Sequence, residues 1–467
     1  MKFEIKNLGP IKEAGIELGG LTVICGKNNT GKTYLTYSLY AFLATIRQNL
    51  LLSVSKRDFS VLLETGQAAI NLEEYIENYV MAVEETVQNF GKKLPEFLAM
   101  SPERFKNTSF GLILDADEVK ACLLKKINSS GSGAFLDSVQ ITETCKIHSK
   151  RKNGSLIAEI ELLNEAAEMP ERGVLDYALS ALLARVFNPI PDNQDIENEI
   201  FPAIFPPVFI ITCERTGAAL FRTELVISQE VSLRSDDSLS ERKKLNKQYD
   251  FRGYQMPVMR DLQFVIQLKN AESQQSFIAK CHPEIIRFFH IIAGGKYALK
   301  DNQVRFIPAG TNESLSLAES SSTVRSLMEL NYYLKHKAKA GQTLMLDEPE
   351  LNLHPENQRK LTRLLVRLVN AGVNVFINTH SDYIIKEFNT LLMLNWPDDK
   401  NMPAMRQKYG YEENELLSAQ NVRVYCAENG NFVPVEVSQD VGIAISSFDE
   451  NIRDMGIMQR DILSGGN

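Results

Sequence analysis

Gly26-Lys27-Asn28-Asn29-Thr30-Gly31-Lys32-Thr33 has the order G-x-x-x-x-G-K-[ST] of a phosphate-binding loop, or P-loop. The apolar run Leu21-Thr22-Val23-Ile24-Cys25 precedes it and a helix-like stretch, Tyr34 to Ile46, follows. The pattern needs that strand–loop–helix context. The glycines let the backbone curl so that successive N–H groups face one anion, and the helix N-terminus adds partial positive charge. Lys32 would reach the β- and γ-phosphates of a nucleotide, and the Thr33 hydroxyl would ligate Mg²⁺. Far downstream, Thr343-Leu344-Met345-Leu346-Asp347-Glu348-Pro349-Glu350 is an apolar strand ending in acids. A carboxylate at the C-terminal end of a buried parallel strand sits where such sheets bind ligands. Asp347 would hold Mg²⁺, and Glu348 would orient and deprotonate an attacking water. Alone, this stretch would be an acidic turn; paired with the P-loop it reads as a Walker B site. In Val373-Asn374-Val375-Phe376-Ile377-Asn378-Thr379-His380-Ser381-Asp382 a third buried-strand pattern ends in a polar cluster. There His380 would contact the γ-phosphate and sense its loss.

These groups need strands and helices to bring them together. Residues 2–25 alternate like two or three strands, broken at Gly9-Pro10 and Gly19-Gly20. From about 34 to 130 the pattern is mostly helical. Ser129-Ser130-Gly131-Ser132-Gly133 reads as a flexible break. Ser138 to Ile147 and Ser155 to Leu162 have strand character around the hairpin signal Asn153-Gly154. Residues 173–188 form an amphipathic helix, and Val208 to Thr212 a buried strand. Residues 218–290 are helical again, with the charged run Glu241 to Lys247 at their centre. Strands from 294 onward lead into a helix over Thr323 to Ala338. No sustained heptad repeat marks a long coiled coil.

Composition narrows the class. Of 467 residues, 44% are hydrophobic and 24% charged, values of an ordinary globular protein. No window reaches the roughly 18 consecutive apolar residues of a membrane span, and Met1 to Lys6 alternates like a strand where a signal peptide would be apolar. The six cysteines lack C-x-x-C spacing and read as reduced thiols of a cytoplasmic protein. A formal charge of −8 gives no global field for nucleic acid, so DNA contact would need a local patch such as Lys150 to Lys152 or Arg242 to Lys247.

Together these segments resemble the ABC-type ATPase heads of the RecF/SMC and OLD-like (overcoming-lysogenization-defect) group, which includes ATPase subunits of bacterial anti-phage defence systems of the Septu and PARIS kind. Asn7-Leu8-Gly9-Pro10-Ile11 is similar to that group's opening strands, and Leu353-His354-Pro355-Glu356-Asn357-Gln358 to its D-loop. Thr379-His380-Ser381 is similar to its switch histidine, and Cys213-Glu214-Arg215-Thr216-Gly217 to an arginine motif of bacterial members. The fold the resemblance implies is α/β: a mixed β-lobe plus parallel-sheet core with flanking helices. Residues 1–45 and 205–440 would form a discontinuous head. Residues 46–204 would be a mainly helical insertion with a small β-hairpin, 218–290 a helical subregion within the head, and 441–467 a C-terminal tail. In such heads a signature loop grips the γ-phosphate bound to another subunit. The matching place is Ala318 to Arg325, with Ser321 and Ser322 as phosphate donors and Thr323 where relatives carry glycine. Only glycine lacks a Cβ, so the closest backbone approach would be lost, leaving either slow turnover or a closed state that needs a partner, although Ser and Thr hydroxyls at a helix N-terminus still bind phosphate.

The resemblance further implies ATP and Mg²⁺ as ligands and a nucleotide-sandwich homodimer or higher oligomer. The expected role is the sensor or regulatory subunit of an anti-phage complex controlling a separately encoded effector nuclease. A RecF-like DNA-repair ATPase is the alternative, and a transporter ATPase is disfavoured. A TOPRIM nuclease needs a glutamate and an Asp-x-Asp set. Asp398-Asp399 and Asp449-Glu450 do not follow buried strands in that order, so no nuclease centre is expected here. Val422 to Cys426 and Phe432 to Val435 read instead as a closing hairpin.

Overall fold

A computed structural model describes residues 1–129, 135–151, 155–164, 169–187, 204–227, 253–396, 400–444 and 457–460. Most of the expected break at Ser129 to Gly133, the Asn153-Gly154 turn, the charged run Glu241 to Lys247, Asp398-Asp399 and Asp449-Glu450 lie outside the described residues.

The strands in chain order are β1 (Lys2–Leu8), β2 (Ile11–Glu17), β3 (Leu21–Gly26), β4 (Gln67–Asn71), β5 (Ser109–Ile113), β6 (Phe135–Gln140), β7 (Cys145–Arg151), β8 (Ile157–Asn164), β9 (Val208–Ile211), β10 (Gly295–Lys300), β11 (Gln303–Pro308), β12 (Leu315–Ser316), β13 (Thr343–Asp347), β14 (Asn374–Thr379), β15 (Val422–Glu428), β16 (Asn431–Val435), β17 (Val437–Ser438) and β18 (Gly442–Ile443). One nine-stranded sheet, in the order β5-β1-β2-β16-β15-β3-β14-β13-β9, organises the head. From β15 to β9 all neighbours are parallel; β1 pairs antiparallel with β2 and β5, and β15 with β16.

The sequence explains this division. Every residue of β3 and β13 is buried, as continuous apolar runs require when helices cover both faces. Alternate residues feed two cores. Ile24, Met345 and Phe376 join the core under the helix Lys32–Asn49. Val23, Cys25, Leu344, Leu346 and Ile377 join the core under the helices Ser322–His336 and Pro355–Asn370. By contrast β1 alternates buried and exposed positions, the pattern of a strand with one wet face.

The insertion differs from expectation. Ser138 to Ile147 is not one strand: β6 ends at Gln140 and β7 starts at Cys145, because Ile141 and Thr142 both donate backbone N–H groups to the Cys145 carbonyl and turn the chain. The expected hairpin is thus part of a four-stranded antiparallel sheet, β4-β8-β7-β6. β5, within a stretch expected to be helical, adds an edge strand to the main sheet beside β1. The closing hairpin does form, and β15 also inserts beside β3, parallel to it.

Candidate active site

Parallel register brings the motifs to one edge of the sheet. Cys25 on β3 pairs with Thr379 on β14, and Asn378 pairs with Asp347 on β13. The residues that follow, Gly26, His380 and Glu348, therefore leave three adjacent strands at the same end. The loop geometry depends on glycine where the sequence places it. Gly26 has φ +135° and lies against β15, where an added Cβ would stand 2.8 Å from the Ala427 carbonyl oxygen. Gly31 caps the following helix at φ +95°, with no room before Ile11 and Pro10. Asn29 also has positive φ, and the Thr30 hydroxyl donates to the Lys27 carbonyl at 2.9 Å. Lys27, Asn28 and Asn29 are exposed, Thr30 and Thr33 half-buried, and Gly26, Gly31 and Lys32 buried.

The Lys32 ammonium donates to the Gly26 carbonyl at 3.1 Å and to the Lys27 carbonyl at 2.7 Å, so it sits folded inside its own loop. Burial lowers its pKa, while Glu348, Asp347 and Glu350 among its neighbours pull the other way. Asp347 is fully buried, and neither carboxylate oxygen meets a hydrogen-bond donor in good geometry. Burial raises its pKa, only partly opposed by the nearby Asn378 amide and Tyr37 hydroxyl. A bare buried carboxylate is costly unless a cation or donor completes it. The Asp347 oxygens therefore fit a magnesium ion, which would neutralise substrate phosphate charge there.

Glu348 Oε1 stands 3.2 Å from His380 Nε2, and that contact holds the Glu348 carboxyl below its ordinary pKa. Glu348 has φ +47°, an uncommon conformation for a residue with a side chain. Its N–H is held by the Asn378 side chain at 2.9 Å. The His380 N–H donates to Glu350 Oε1 at 2.7 Å, and Ser381 caps the helix Asp382–Met393. Lys32, Asp347, Glu348 and His380 thus form one constellation.

Ser321 and Ser322 stand outside it and share no hydrogen bond with the P-loop. Exposed Ser321 caps the helix Ser322–His336 by accepting from the Val324 N–H, with half-buried Ser322 as the first helical residue. The Thr323 hydroxyl donates to the Asn352 carbonyl at 2.6 Å, fastening this helix start to the turn that precedes Leu353. Two further site residues, Glu350 and Asn378, carry no motif signal of their own; a third, Arg215, lies in the arginine motif. Asn378 and Glu350 sat inside quoted motifs but have no fixed place in the phosphate-binding pattern. Arg215 is buried and donates to the carbonyls of Asp347 at 2.8 Å, Glu348 at 2.6 Å and Thr212 at 3.0 Å.

Residues 1–197 and 229–385 match the family described as AAA ATPase domain. The chain belongs to that family. It is an ATP-hydrolysing enzyme, and its motif order and mixed sheet are those expected of an ABC-type head. The Old nuclease of Escherichia phage P2 is 25% identical over 118 residues, which are 25% of this chain. The chain spans 20% of that relative's length. Among solved structures, the SmcHead bound to the C-winged helix domain of ScpA covers 94% of this chain and 97% of its own, at 11% identity and a TM-score of 0.34. The SMC head domain from Thermotoga maritima covers 93% and 98%, at 11% identity and a TM-score of 0.29. No helix among the described residues is long and apolar enough to cross a membrane.

Proposed function

We propose that this ATPase works as a nucleotide-gated switch in a bacterial anti-phage complex, regulating a separately encoded effector nuclease. The observation that carries the nucleotide chemistry of this switch is the bare, buried Asp347 carboxylate beside Lys32, Glu348 and His380 at one sheet edge. In this reading the N–H groups of the loop Gly26 to Thr33 cradle the phosphates, and Lys32 leaves its own carbonyls for the β- and γ-phosphates. Thr33 and Asp347 would hold Mg²⁺, which would neutralise phosphate charge. Glu348, whose ionised form the His380 contact favours, takes the proton of the attacking water. His380 steadies the γ-phosphate and orients Glu348. Ser321 and Ser322, apart from their own P-loop, reach the γ-phosphate held by a second copy. ATP then joins two subunits, and hydrolysis parts them. The partial match to Old nuclease supports a link to nuclease function.

Native mass spectrometry of the protein expressed with its neighbouring genes tests this, comparing native sequence with Glu348→Gln, with and without ATP. The expected result is an ATP-dependent dimer or larger assembly, stabilised by the substitution, that carries a co-encoded nuclease. ATP-dependent dimers that recruit no partner yet retain duplex DNA would overturn the defence reading in favour of a RecF-like repair ATPase.

A further inference from the structure

We propose that Arg215 is a positioning residue for ATP hydrolysis, held by a buried Asp261–Glu329 pair that ties the signature helix to the Walker B turn. The first support is the strained turn itself. Glu348 carries φ +47°, which persists only where surroundings over-determine it. Two of Arg215's donors supply that restraint by fixing the carbonyls of Asp347 and Glu348, the residues on either side of the strained peptide. A planar guanidinium can hold both at once, which a point-charge ammonium cannot do equally well.

The second support lies beneath Arg215. Thr212, whose carbonyl takes an Arg215 donor, gives its own N–H and hydroxyl to Asp261 Oδ2 at 2.9 and 2.6 Å. Asp261, on the helix Met256–Ile266, lies against Glu329, on the helix Ser322–His336. Both carboxyls are buried, and Asp261 Oδ1 and both Glu329 oxygens lack a donor. One shared proton between the two acids supplies the missing hydrogen bond, and burial raises both pKa values in the direction that retains it. The Arg215 guanidinium acts electrostatically on both carboxyls in favour of the remaining negative charge. A continuous chain of contacts, Glu329–Asp261–Thr212–Arg215, therefore joins the helix that Ser321 caps to the turn that aims Glu348. A shift of that helix on meeting a second subunit would be delivered to the catalytic turn.

This inference rests on Glu348 being the base, and the test separates the two. Steady-state ATP turnover and nucleotide affinity are measured for Glu348→Gln, Arg215→Ala, Arg215→Lys, Asp261→Asn, Glu329→Gln and the Asp261→Asn/Glu329→Gln double variant, with thermal melts to match folded fractions. Arg215→Ala is expected to lower kcat about 100-fold, the size of an ångström-scale misplacement, with KM and nucleotide affinity within threefold of native. Guanidinium ion at low millimolar concentration should restore part of the loss, and Arg215→Lys should fall between. Either single acid variant should lower kcat less than the double variant, which should lose at least tenfold. Full turnover in Arg215→Ala, or loss confined to melting temperature in the double variant, overturns the inference. Full turnover in Glu348→Gln would instead overturn the assignment of the base.

Discussion

Gly26→Ala adds one methyl group where the structure has no room for it. At φ +135° a side chain costs about 1–3 kcal/mol in backbone strain. The new Cβ would stand 2.8 Å from the Ala427 oxygen, 3.0 Å from its Cβ and 3.1 Å from its nitrogen. These atoms belong to β15, which is hydrogen-bonded to β3 on one side and β16 on the other, so the neighbour cannot yield cheaply. Overpacking of that kind costs about 1–3 kcal/mol more. The total, about 2–6 kcal/mol, can emerge in two ways. If the loop keeps its shape, the fold loses that stability; if the loop moves to relieve the clash, the phosphate cradle is lost and affinity falls tenfold per 1.4 kcal/mol. Urea denaturation and titration with a fluorescent ATP analogue therefore have to be read together. Their losses should sum to at least about 2 kcal/mol. Both quantities within about 0.5 kcal/mol of native would refute the reasoning that the β15 backbone makes glycine obligatory.

Glu348→Gln should reduce ATP turnover by about 10²–10⁴, the usual worth of a general base, while melting stays within about 1 kcal/mol, since the His380 contact is partly exposed; turnover assays and melts check this together. Glu415 is fully buried between Arg363 at 2.7 Å and Arg367 at 2.6 Å. Removing one partner of such a group costs about 3–5 kcal/mol, and Glu415→Gln should fall near the lower figure in urea denaturation because Glu412 stays 3.2 Å from Arg367. His290 is pushed down to about 4 by burial and by the nearby Lys335 and Lys296. The unfolded chain then binds the extra proton first, so its contribution to stability is present above pH 6.5 and declines as pH falls from 6.5 to 4. His290→Leu should flatten that part of a stability-versus-pH curve.

The motifs were legible because phosphate and water chemistry dictate residue order: the glycines, lysine and threonine of the P-loop, and the acids after β13. The parallel core was legible for a different reason, since β3, β13 and β14 are nearly continuous apolar runs. What stayed hidden was set by partners distant in sequence. Arg215 was visible as a motif, but its ligands are main-chain carbonyls 132 and 133 residues away, and a carbonyl has no residue-type signature. Asp261 and Glu329 look like polar positions on amphipathic helices until packing turns them toward each other. β5 is only five residues long, and its pairing with β1 rather than with its own insertion is a tertiary choice.

The placement of β3 also governs how the chain can acquire its activity during synthesis. The strand that launches the P-loop, Leu21–Gly26, is flanked by Asn374–Thr379 on one side and Val422–Glu428 on the other. At ribosomal speeds of about 5–20 residues per second, both neighbours emerge only after tens of seconds. Until then an intensely apolar strand has two open edges, and no nucleotide cradle can be rigid. The nascent chain is therefore silent toward ATP and dependent on being shielded from aggregation, and competence arrives late, when the last strands of the sheet close around the first.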